Sequence, residues 1–166
     1  MAYNINETST LTTPFQAGGS GITLGDDLNS RRTDGGMDPT GLGRWAWVKI
    51  TGKSGFATLI VSAYRPTNNR RDAGSVWHQH RRYFLNRGVD REPIAAYDHD
   101  LLQSLQGWLT EGCKLIIGMD ANEDVRSGSL ARALKTLGLR EAVISLHPQK
   151  SPPATQNRNK SRTPID

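Results

Sequence analysis

The chain has 166 residues, 36% apolar and 22% charged, with a formal net charge of +5 and a sequence pI of about 9.7. That length suits one domain, and a chain of this size buries about two-thirds of its unfolded surface, enough for a core without cross-links. Cys113 stands alone, which excludes an internal disulfide framework, and no apolar run approaches the ~20 residues of a membrane span. The expectation is a protein of a reducing intracellular compartment, nucleus or cytoplasm, with no membrane partner.

Residues 1–14 are polar and Thr-rich, with neither the basic nor the apolar stretch of a secretory leader. They read as a loosely attached segment ahead of a domain over residues 15–166. Gly18, Gly19 and Gly21 flank a short candidate strand, Ile22 to Leu24. Residues 25–43 are rich in Gly, Asp and Arg and read as a loop. RWAWVKIT (Arg44 to Thr51) and FATLIVSAY (Phe56 to Tyr64) are β-branched and aromatic, and GKSG between them predicts a β-hairpin. Pro66 and Asn68-Asn69 end it. A helix follows from Ser75 to about Arg87. Asp98 is a candidate cap for a second helix, whose stripe is Leu101, Leu102, Leu105, Trp108 and Leu109, with Gly112 as its stop. Lys114 to Met119 is a continuous apolar run, the pattern of a strand buried on both faces. Ser129 to Leu137 predicts a further helix with Leu130, Ala133, Leu134 and Leu137 on its apolar face. The stretch from Ser151 is rich in Pro, Asn and basic residues. Hairpin, helices, strand and helix in that order imply an α/β fold, a mixed sheet covered by helices.

Between Tyr64 and Arg91 stand Arg65, Arg70, Arg71, Arg81, Arg82, Arg87 and Arg91, against only Asp72 and Asp90. Such a balance suits a polyanion such as nucleic acid, or solubility alone. Three other motifs fail on spacing. Gly52-Lys53-Ser54 lacks the phosphate-loop glycine, since Trp47 stands in its place. Asp120-x-Asn122-x-Asp124 starts like a calcium loop, but Val125 replaces the turn glycine and Ala131 the final Glu. His78 and His80 are two apart and unaccompanied by cysteines, so solvated or hydrogen-bonded histidines are expected rather than zinc ligands.

LIIGMDANEDVRSG (Leu115 to Gly128) is the stretch with chemistry in it. In an extended segment residues two apart face the same side. Asp120 and Asn122 would then enter one cleft, an anionic base or metal-side ligand beside a neutral amide able to donate to a phosphate oxygen. Phosphodiester hydrolysis needs both jobs. Asp and Asn are also ordinary turn formers, and from their spacing alone the ordinary turn is the favoured reading.

Motif order adds a resemblance. GRWAWVKI followed by TLIVSAYRP, then LIIGMDANED, LGLREAV and PATQNRNKSRTPID together resemble the endonuclease/exonuclease/phosphatase superfamily, over roughly residues 15 to 166. Met119 stands where that family usually has glycine. GLGRW and DANEDVRSG look most like the endonuclease domains of retroelement-type reading frames. The resemblance implies a deoxyribonuclease I-like fold, an α+β two-sheet β-sandwich flanked by helices. It implies a Mg²⁺- or Mn²⁺-dependent phosphodiesterase acting on nucleic acid, DNA in the first place. Carried over by position, Asp120 would orient or deprotonate the attacking water and Asn122 would bind the scissile phosphate. Tyr64 would offer a phosphate-side hydroxyl, Asp166 would support a catalytic histidine, and Thr155 would start a strand. Arg65, Arg70 and Arg71 would contact phosphate or nucleic acid.

The same resemblance predicts a domain cut at both ends. The family's first-strand Asn and metal-binding Glu have no counterpart before the glycine-rich start, and its Asp-His pair has none after Asp166; His147 matches nothing. The expectation is weak or absent hydrolysis in this chain, with Mg²⁺ binding impaired and a partner chain as one source of the missing strands. The alternatives are an inactive fragment that still binds nucleic acid, and a phosphatase of small phosphate esters.

Overall fold

The two β-branched runs do pair. The computed structural model describes residues 18–52 and 54–146. In it β2 (Trp45–Thr51) and β3 (Ala57–Tyr64) form an antiparallel hairpin, with Trp45 opposite Ala63 and Thr51 opposite Ala57. Its turn closes with Gly55 at φ 77°, a conformation that suits glycine. By register, Trp45, Trp47, Leu59 and Val61 share one face.

The 25–43 stretch, expected to be a loop, instead holds a single helical turn, α1 (Asp26–Asn29), and a strand, β1 (Arg32–Met37). β1 reads RTDGGM and has little strand propensity of its own. It exists because β2 offers a partner edge, and Gly36 pairs with Trp47. A Cβ on Gly36 would stand 3.0 Å from the Trp47 indole, so glycine lets the ring lie across the strand. The candidate strand at Ile22 to Leu24 is absent; only isolated bridge residues, Ser20 and Thr23, occur there.

Two helices follow. α2 (Val76–Leu85) is capped by the Ser75 hydroxyl, and α3 (Pro93–Thr110) starts earlier than its leucine stripe suggested. Its cap is Glu92, whose carboxylate accepts the Ala95 N–H at 2.8 Å, with Pro93 in the first turn. Asp98 lies inside the helix and is paired elsewhere. Tyr97, Leu101 and Leu105 are fully buried, and each such leucine contributes about 1.5–3 kcal/mol by burial. Trp45 meets Tyr97 edge-on at 6.0 Å and Trp47 meets Trp108 at 5.4 Å, which seats α3 on the aromatic face of the sheet.

β4 (Lys114–Asp120) completes a four-stranded mixed open sheet of order β1-β2-β3-β4. It corrects the expectation of a strand buried on both faces. β4 lies at the edge, its burial alternates, and Ile116 is 58% exposed. A continuous apolar run cannot reveal which face will be covered; the neighbours decide that. The described residues thus form one mixed α/β sheet with helices. After Met119 the chain enters a second compact unit, with α4 (Ser129–Thr136), as expected, and α5 (Ala142–Leu146). The segment 1–14, His147, the basic tail, Thr155 and Asp166 lie outside the described residues.

Candidate functional site

Asp120 is the last residue of β4, and its side chain is exposed. One carboxylate oxygen, Oδ1, accepts the backbone N–H of Asn122 at 3.2 Å, a local turn of the kind Asp favours. Asn122 has φ 47°, the one positive φ at a non-glycine among the described residues. Strand geometry has therefore ended before Asn122, and the premise that the two side chains leave an extended segment on the same side does not hold. Asn is among the few residues that enter this left-handed region readily.

The other acids of the turn also serve their own backbone. Asp124 accepts from the Arg126 N–H at 2.9 Å and from its guanidinium at 3.2 and 3.3 Å. The side-chain bond from Arg126, then its backbone N–H, hold Asp124 below the usual carboxylate range. Glu123 reaches over Gly128 to accept the Ala131 N–H at 2.8 Å, closing a free donor at the start of α4. A Cβ on Gly128 would run into that Glu123 carboxyl group. DANEDVRSG is thus a helix-entry turn in which Asp120, Glu123 and Asp124 each bond backbone N–H groups.

Among the described residues no three His, Cys, Asp or Glu side chains gather to hold a metal ion. Mg²⁺ needs one or two carboxylates plus phosphate and water oxygens at near-ideal octahedral positions. Asp120 offers one carboxylate, one of whose oxygens also accepts a backbone N–H, so a Mg²⁺ or Mn²⁺ held here would draw its remaining ligands from phosphate and water.

The arginine-rich stretch divides by burial. Arg65, expected to contact phosphate, is 7% exposed. Its guanidinium is held bidentately by Asp98 at 2.6 and 2.7 Å, so its charge is spent inside the fold. Arg81 pairs with Asp90 and Arg91 with Asp100. Arg87 covers the Tyr83 ring at 3.7 Å. Arg70 and Arg71 remain on the exposed loop after β3. Arg70 lies 5.1 Å over Trp77, bonds Asn68 at 2.8 Å and stands a loose 3.8 Å from Glu92. Arg71 has no hydrogen bond or ion pair among the described residues. Tyr64 ends β3, half-buried, with its N–H donated to the Arg44 carbonyl at 2.9 Å.

Sequence reasoning missed a different set of charges. Arg44, 2% exposed, donates Nε and Nη2 to Asp38 at 2.7 Å each and Nη1 to Asp100 at 2.9 Å. Burial pushes the Asp38 carboxyl up, but the bonds and charge of Arg44 outweigh it and hold the group below its ordinary value. Asp38 lies in the supposed loop and Asp100 in α3, so no spacing rule links them to Arg44. A concavity of about 380 Å³ beside this network, between Trp47 and Trp108, has one acid at its rim, Glu111, and no basic lining residue, so it does not suit phosphate.

Comparison with family models, with curated proteins and with solved structures gives no match. Among the described residues no helix is long and apolar enough to cross a membrane.

Proposed function

We propose that this chain is a nucleic-acid-binding unit of the deoxyribonuclease I-like endonuclease/exonuclease/phosphatase type, in which binding outlasts hydrolysis. The observation that carries the reading is the division among the arginines. Arg65 is buried against Asp98, and Arg81 and Arg91 are ion-paired, while Arg70 and Arg71 stay exposed on one loop, Arg71 with no hydrogen bond or ion pair among the described residues. The net charge of +5 supports the same polyanion partner. The order of sequence motifs supports DNA as the first substrate class to try. The local bonding of Asp120, Glu123 and Asp124 supports weak or absent hydrolysis, because oxygens that accept backbone N–H groups have fewer lone pairs left for a metal or a water.

The test is fluorescence polarisation with labelled duplex DNA, single-stranded DNA and RNA at 50 and 200 mM salt. Plasmid nicking in Mg²⁺, with EDTA and Asp120→Ala controls, runs beside it. Binding that weakens steeply with salt is expected, and Arg70→Ala with Arg71→Ala should lower the salt slope by about one or two. A folded sample that binds nothing at 50 mM salt overturns the reading. Nicking abolished by both EDTA and Asp120→Ala overturns its second half and restores a working phosphodiesterase.

A further inference from the structure

His80 on α2 is 1% exposed, and neither of its ring nitrogens has a hydrogen-bond partner within the protein. Histidines in this chain were expected to be solvated or hydrogen-bonded; this one is neither. α2 packs through Tyr83 and Phe84 against Leu42 of the 38–44 segment and Ala96 of α3. The charges acting on the His80 ring are Arg44 and Asp38. From α3, Asp100 grips the same guanidinium, and Arg91 grips Asp100 in turn. Tyr97, also on α3, is a buried phenol whose hydroxyl faces Met119.

A charged imidazole would find no acceptor in this network. Asp38 Oδ1 already accepts from Arg44 and the Thr40 N–H, and Oδ2 from Arg44 and the Thr40 hydroxyl. A carboxylate offers about four acceptor sites, and all four are taken. A proton on His80 would therefore put a second buried cation in the field of Arg44, with no acceptor site left on Asp38 to bond it.

We propose that His80 is an acid-sensitive latch, whose protonation releases α2 from the 38–44 segment and α3. Burial first, and the nearby Arg44 charge second, push its pKa down from 6.5 to about 4. A folded-state value below the unfolded one means the neutral ring stabilises the fold fully above pH 6.5. That contribution is lost as pH falls toward 4. Asp38 and Asp100 are held below 3.8 and Glu92 below 4.5, so their contributions go only at lower pH. His99 stands 3.1 Å from Asp100 Oδ1 and is present in wild type and in His80→Gln alike, so the difference between the two proteins from about pH 4.5 to 6.5 isolates the latch.

The experiment is urea unfolding of the full chain at pH 7.5 and pH 5, read by tryptophan fluorescence. Trp45, Trp47, Trp77 and Trp108 all lie in the unit before Asp120, so the signal reports it. The unfolding constant should rise about 30-fold between the two pH values in wild type and stay nearly flat in His80→Gln. An equal rise in both proteins overturns the latch, as does no rise in either. If His80→Gln does not fold, NMR titration of the wild-type imidazole protons decides. A His80 ring that stays neutral in the folded protein down to about pH 5 supports the latch, and one that titrates near 6.5 overturns it.

Discussion

Two sets of acids do opposite work, one in each compact unit, although Asp34 and Asp72 of the first unit also accept from N–H groups one and two positions on. In the first, Asp38, Asp98 and Asp100 take guanidinium groups far along the chain or from buried positions, and Arg44 and Arg65 are nearly inaccessible. In the second, Asp120 and Asp124 bond residues two positions on, at the surface. The first pattern binds a loop and a helix into one core. The second shapes a turn. Burial separates them, since an ion pair removed from water must be complete, whereas an exposed one is screened and nearly neutral in energy.

The largest effect that would break this comparison is expected at Arg44. Arg44→Met leaves Asp38 buried without its partner and should cost about 3–5 kcal/mol in urea unfolding. The double variant Arg44→Met with Asp38→Leu should recover part of that loss; no recovery would mean that packing, not charge, holds the segment. The same pairs predict an acid limit. Asp38 and Asp100 are held low, so their contribution is present above pH 3.8 and lost as pH falls through their folded values. A tryptophan-monitored acid titration should show that loss in wild type and a smaller one in Arg44→Met.

Asn122 comes next. Asn122→Ala should destabilise the 120–128 turn by about 1 kcal/mol through its left-handed backbone, while Asn122→Gly should be close to neutral. Activity lost in Ala but kept in Gly would then report conformation rather than a phosphate contact. Gly128→Ala should expel Glu123 from the start of α4, and the loss of that cap should cost about 1 kcal/mol by thermal unfolding. At the small end, Lys49→Ala removes an exposed contact with Glu111 and should leave the unfolding midpoint unchanged.

The hairpin and α4 were legible because their signals are local: β-branched runs around a glycine turn, and apolar residues at helical spacing. β1 was not, because RTDGGM forms a strand only against β2. Asp98 looked like a helix cap because Asp commonly is one. Its true partner, Arg65, is separated from it by 33 positions. For the candidate site, Asp120 was placed correctly at a strand end. The role of Asn122 depended on a backbone angle that residue types only hint at.

Composition and local order by themselves determined a basic α/β chain with one free cysteine, a tryptophan-rich hairpin and a polar turn after β4. Only the tertiary structure decided which charges are spent. It buried Arg44 and Arg65, left Arg70 and Arg71 in solvent, turned the acids of 120–128 toward their own backbone, and enclosed His80 beside a saturated carboxylate. The physical reason is that the energy of a charge depends on its burial and on its partners across the fold, and neither is a property of neighbours in sequence.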